Sequence, residues 1–270
     1  MPHVLFSRHV LGADDHRLDE EWDDEKSYLE KKKYKEGVKV DASNWKSFIG
    51  KKEYYGNVLE YFDGLLATAT PTEIPTIITN HIFPHLLPNL VAGAVHPLIH
   101  LGFGIEFQNR EVIAEALTEA CLHDPSTAPI LAHDNSKAIK GKTILQIYDD
   151  IRNDRRFDDV VKFSDGNKTN SVLKNGSEIV RSYAGQFWVD DDPQNLLKTL
   201  QNIFLTSSHL AFQTGLHPPH APKLDFFLMH LLTSSLSLRQ IIPYLTISRP
   251  SDLFPSSLCQ TLMTLRVCSH

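Results

Sequence analysis

Residues 80–107, NHIFPHLLPNLVAGAVHPLIHLGFGIEF, place four histidines, His81, His85, His96 and His100, in an otherwise apolar run. Imidazole is the side chain best suited to holding a metal or moving a proton near neutral pH. Burying several in one apolar segment costs desolvation unless each finds a partner. His96 and His100 are four apart, so a helix would carry both rings on one face, about one turn apart. That spacing offers two metal ligands from a single element. Imidazole suits iron, zinc and copper alike, so ligand type leaves the metal open. The non-haem oxygenase pattern adds a carboxylate, and Glu106 and Asp225 lie within or beside the chemistry-bearing segments. Asp225 precedes His230 by five residues, about 140° around a helix, and reads better as the cap of a helix beginning after Pro222.

The other histidines read as ordinary. His123, His133, His209, His217 and His220 fall at helix ends, in loops or near prolines, with His209 kept in reserve, and His270 is terminal. His230, taken alone, reads as a hydrogen-bonded core residue.

The elements that must position these side chains are helical throughout. Pro84, Pro88 and Pro97 interrupt the central run, and Gly93, Gly102 and Gly104 are expected to loosen it. Pro97 suits the first turn of a helix, which would leave His96 at the cap. Residues 18–35 form a charged helix or lid, and Asp41 or Ser43 caps a short helix through Ile49. Residues 52–66 carry Tyr54, Val58, Tyr61, Phe62 and Leu65 at helical spacing. Arg110–His123 and Gly141–Ile151 are amphipathic helices, and residues 164–176 are a polar surface loop. Asp190-Asp191-Asp192-Pro193 starts a helix that uses Leu196, Leu197, Leu200, Phe204 and Leu205. Residues 223–238, apolar on most sides, are expected at the centre. No alternating strand pattern or internal repeat competes, so the class is all-α, as one multi-helix domain over residues 1–245 with an irregular tail at 246–270.

Several chemistries are set aside. No Gly-x-Gly-x-x-Gly is present, so no tightly bound flavin is expected. No phosphate-binding loop or nucleophile elbow occurs, and Cys121, Cys259 and Cys268 form no CxxC pair. A net charge of −6 argues against nucleic acid as a partner. With no signal peptide or apolar run of spanning length, the cytoplasm is the default expectation. Oligomeric state is not legible.

Three segments carry a resemblance. HLLPNLVAGAVHPLIHLGFGIEF, residues 85–107, resembles the central signature of the questin oxidase-like proteins, a mainly fungal family. PHVLFSRHVLGADD resembles the family's opening motif, with His3 followed nine residues later by Gly12. KLDFFLMHLLTSS, residues 223–235, resembles its late block, and Lys52-Glu53-Tyr54-Tyr55 also fits. The resemblance implies an oxidoreductase that cleaves a ring of an anthraquinone or related aromatic polyketide with molecular oxygen. The chemistry implied is Baeyer–Villiger-type or dioxygenative, in secondary metabolism, with NADPH as a co-substrate. It further implies a non-haem iron with His3, His96, His100 and His230 as metal ligands and His96 and His100 at the catalytic centre. His81 and His85 would be supporting or structural.

The ends depart from the family pattern. Met1 stands almost inside the opening motif, and TISRPSDLFPSSLCQTLMTLRVCSH, residues 246–270, has no clear helical period. The expectation is a chain truncated at both ends, with no counterpart for a modified lysine found in some members, Lys223 being the nearest in sequence. Two further readings stand beside the oxidoreductase: an inactive relative that keeps a ligand pocket, and a metal-dependent hydrolase.

Overall fold

The fold class is as read: the computed structural model is all-α. It describes residues 2–124, 138–162, 164–188, 192–213, 215–216 and 218–246, and among these no strand occurs, only an isolated bridge between Ile139 and Phe187. The helices are α1 (Pro2–Val10), α2 (Asp15–Lys26), α3 (Tyr55–Thr68), α4 (Ile74–His81), α5 (His96–Glu106), α6 (Arg110–Leu122), α7 (Ile144–Asn153), α8 (Lys168–Asn175), α9 (Ser177–Ala184), α10 (Pro193–Gln213) and α11 (Phe226–Thr246). Residues 247–270, with Cys259, Cys268 and His270, lie outside the described residues, as do His133, His217, Asp190 and Asp191.

Side-chain caps fix several starts. Asn109 accepts from the Val112 amide at 3.0 Å to open α6, and Thr143 and Gln146 form a reciprocal capping box on α7. Asp192 accepts from the Gln194 and Asn195 amides at α10, and Asp225 from the Leu228 amide, 2.9 Å, at α11. Asp225 therefore caps α11, as the sequence suggests.

Some expectations are corrected. Residues 164–176 are not all loop: Asn167 caps the Asn170 amide, and α8 forms because Val172 is buried in the core. The charged stretch 18–35 is helical only to Lys26, and α2 buries none of its residues. Asp41 does not cap a helix; it accepts from the Ser43 amide and hydroxyl, tying a turn before the one-turn 3-10 helix Trp45–Phe48.

The centre belongs to α5, not to residues 223–238. Pro97, Leu98, Ile99, His100, Leu101, Gly102 and Gly104 of α5 are buried, so the helix is covered nearly all round, by α6 on one side and α11 on another. Phe226, Met229 and Leu236 of α11 stay exposed. Gly102 and Gly104 do not loosen α5; they let its neighbours close in. A Cβ at Gly102 would strike Ser237 of α11, and one at Gly104 would sit 2.7 Å from Ile113 Cγ1 of α6. The Ser237 hydroxyl donates to the Ile99 carbonyl at 3.3 Å across the first crossing. Among the described residues no helix is long and apolar enough to cross a membrane.

Candidate metal centre

Between α4 and α5 the chain changes helical type repeatedly. A π-turn, Ile82–Leu86, and a 3-10 turn, Leu87–Val91, lead to Gly93, Ala94 and Val95, with φ of +56°, +54° and +66°. Three successive residues thus lie in the left-handed region, which is costly for alanine and more so for β-branched valine. The turn delivers His96 as the first residue of α5, where its Nδ1–H donates to the Gly93 carbonyl at 2.7 Å. A carbonyl can only accept, so Nδ1 carries the proton and Nε2 the lone pair. His230 repeats the device on α11: Nδ1–H donates to the Phe226 carbonyl at 2.6 Å.

These rings converge. The centroids of His96 and His230 are 5.0 Å apart, His96 and His100 5.8 Å, His3 and His96 5.5 Å, and His3 and His100 5.1 Å. Nδ1 of His3 lies 3.0 Å from Nε2 of His100. The structure therefore gathers His3, His96, His100 and His230 from α1, α5 and α11. Their alignment follows from parallel packing: the His96–His230 and Gly102–Ser237 contacts show α5 and α11 running in the same sense. His100 and His230 are buried at 3% and 4% exposure, whereas His96 and His3 are half-buried on the α1 side. A short aromatic stack holds α1 there, with Phe6 parallel to Phe107 at 4.3 Å and to Phe103 at 6.0 Å.

Two carboxylates join this group that the sequence reading missed. Glu115 and Glu119, one turn apart on α6, have ligand atoms that lie with one of His100's within 4.8 Å of one another. Glu119 Oε2 and His100 Nδ1 are 3.0 Å apart and buried, but off the line of a hydrogen bond. Their neighbours Ala114, Ala116, Thr118 and Ala120 are all buried, so these acids interrupt an apolar stretch of α6, a burial that only the structure reveals. Glu106, by contrast, is exposed at the end of α5.

His81 is structural. Its Nδ1–H donates to the Ile77 carbonyl at 2.7 Å, and its Nε2 lies 3.2 Å from the Tyr61 hydroxyl, so both nitrogens are used. His85 packs edge-on to Trp45 at 5.6 Å. His123, read as ordinary, lies beside the centre: a Cβ at Gly93 would sit 2.5 Å from its ring. His209 lines two cavities of about 770 and 510 Å³ between α7 and α10, neither walled by the histidine group.

Burial sets the electrostatics. It pulls His3 down to about 3, with the neighbouring His100, His96 and His230 adding to the effect. Burial also lowers His96 and His123, and it raises the Glu115 carboxyl and the Tyr55 hydroxyl. His3, His96 and His123 are thus neutral near pH 7, the state in which imidazole donates a lone pair. The donor set fits a transition metal. His3 Nδ1 and His100 Nε2 stand at the distance of an imidazole–imidazole hydrogen bond, a contact that a shared ion would replace. Rings whose other nitrogen is tied to an oxygen are the usual form of metal-binding histidine.

Comparison with known proteins agrees with the motifs. The chain is 34% identical over 153 residues to a Baeyer–Villiger monooxygenase of Cryptosporiopsis sp., covering 53% of this chain and 34% of that protein. It is 30% identical over 211 residues to questin oxidase of Aspergillus terreus, 73% of this chain and 46% of that one. Against an oxidoreductase of Aspergillus parasiticus it is 27% identical over 212 residues, 75% and 43%. The match thus spans less than half the length of each relative. The family model described as questin oxidase-like matches residues 1–267, and the chain belongs to that family.

Proposed function

We propose that the chain is an oxygen-dependent oxidoreductase that cleaves a ring of an anthraquinone or related aromatic polyketide, by Baeyer–Villiger-type or dioxygenative chemistry in secondary metabolism. The observation that carries the reading is the meeting of four imidazoles from three helices, in a family whose named relatives are oxidases and monooxygenases. His3, His96, His100 and His230 would hold a non-haem iron, with His96 and His100 at the reacting centre. When bound, such an iron supplies a redox centre for molecular oxygen and a Lewis acid for a substrate oxygen.

The chain's own residues do the rest. The Gly93 and Phe226 carbonyls hold the Nδ1 protons of His96 and His230, so neither ring can turn its N–H toward the centre. Burial keeps His3 and His96 unprotonated at neutral pH, ready to bind a cation. Phe6, Phe103 and Phe107 form an aromatic stack next to His3, an apolar surface that would keep water from that side of the centre. NADPH is proposed as reductant, with no residue assigned to it.

The test is the iron content of the purified chain beside a His96→Ala, His100→Ala double variant, followed by oxygen uptake with an anthraquinone. Near-stoichiometric iron lost in the variant supports the reading. A folded wild-type chain that takes up no metal when iron is supplied overturns it.

A further inference from the structure

Each of two imidazoles at the centre has its Nδ1 proton on a main-chain carbonyl, Gly93 for His96 and Phe226 for His230. For His100 the oxygen facing Nδ1 is Glu119 Oε2, at 3.0 Å. His100 is buried to 3% exposure, and both facing atoms are buried without a hydrogen-bond partner in the present alignment. Such atoms are costly unless they serve each other or an ion.

We infer that Glu119 is the positioning residue of His100: its carboxylate accepts a hydrogen bond from Nδ1–H, fixes the tautomer, and leaves the Nε2 lone pair facing His3. This rests on the metal-centred reading above. One observation favours it over an ion shared by Glu119 and His100 Nδ1. His100 Nε2 is the nitrogen that faces His3, and a neutral ring whose Nε2 offers its lone pair must carry its proton on Nδ1. Direct coordination through Nδ1 would move the proton to Nε2 and aim it at His3. Among the three anchors only Glu119 is a side chain, so it is the one anchor that mutation can reach. It also comes from α6, so the helix that covers α5 sets the orientation of a ring on α5.

The experiment uses the full chain loaded with cobalt(II), a spectroscopic stand-in for iron, as wild type, Glu119→Gln and Glu119→Ala. Affinity is read by optical titration, and the exchangeable imidazole N–H lines by proton NMR in the paramagnetic shift range. In Glu119→Ala, affinity is expected to fall about 10- to 100-fold, with one N–H line lost to solvent exchange. In Glu119→Gln the amide oxygen still accepts, so that line persists and affinity falls less. Unchanged affinity and lines in Glu119→Ala overturn the assignment while the metal centre stands. Loss of cobalt in Glu119→Gln as complete as in Glu119→Ala, with a changed visible spectrum, overturns it in favour of Glu119 as a ligand. A wild type that takes no cobalt overturns the metal-centred reading and this inference with it.

Discussion

Replacing Gly102 by alanine would place a methyl group inside the crossing of α5 and α11. The new Cβ would stand 2.5 Å from Ser237 Oγ and 2.6 Å from Ser237 Cα, and the latter is main chain that no rotamer change can move. Bringing that contact from 2.6 Å to the 3.4 Å of ordinary van der Waals distance requires α11 to retreat by about 0.8 Å. His230 lies two turns earlier on the same helix, so the retreat reaches its ring. Metal sites tolerate errors of about 0.2 Å in ligand position, and the displacement is several times larger. Overpacking costs about 1–3 kcal/mol, while the gain in helix propensity returns about 1 kcal/mol. The variant should therefore fold, with a net loss of about 0–2 kcal/mol, yet bind iron or cobalt at least about tenfold more weakly. The control is Gly64→Ala on α3, where an added Cβ meets nothing within 4 Å. It should gain about 0.4–1 kcal/mol and leave metal binding alone. Urea unfolding of the metal-free protein and optical metal titration read the two quantities separately. Affinity within twofold of wild type in a folded Gly102→Ala variant would refute the claim that this crossing sets the ring positions.

Other consequences can be checked with the same tools. His81→Ala removes two hydrogen bonds and ring packing against Trp45 and Phe62; it should cost about 2–4 kcal/mol in urea unfolding with metal content unchanged. Folded His3, His81, His96 and His123 all hold their protons less tightly than free histidine. On acidification the unfolded chain therefore takes up protons first. Metal-free stability should be full above pH 6.5 and fall below it, each ring contributing up to about 1.4 kcal/mol per pH unit. The raised Glu115 and Asp63 carboxyls oppose this, since the folded state protonates them earlier, but they are two groups against these four rings. A stability flat between pH 7 and 5.5 would contradict the burial of these rings. Burial pushes the Cys121 thiol up to about 12, so native Cys121 should hold about 1000-fold less thiolate than a free cysteine. Alkylation followed by peptide mass mapping should find it labelled only after unfolding.

The helical class, α6, the Asp192 start of α10 and the capping role of Asp225 were legible because periodicity and capping are local. The grouping of His3 with His96, His100 and His230 was legible only through the family motifs, since nothing local connects α1 to α5 and α11. Glu115 and Glu119 escaped because an acid on an amphipathic helix reads as solvated unless its flanking residues are also known to be buried. Gly102 and Gly104 were misread as loosening because glycine looks the same whether it frees a backbone or admits a neighbour. The left-handed turn was invisible, since Ala94 and Val95 carry no sequence signal for positive φ.

That turn bears on the order in which the molecule assembles. Holding Ala94 and Val95 left-handed costs an isolated segment about 2 kcal/mol or more, so fewer than about one free chain in thirty would contain it. In the folded protein it is held from outside: the His123 ring lies over Gly93, Asn89 donates to the His123 carbonyl, and Val95 is buried. The first two come from His123 at the far end of α6, so the turn gains these supports for His96 only when residue 123 has docked. Ion binding at the four histidines then becomes a late event in folding, and its onset would report that α6 has closed over the core.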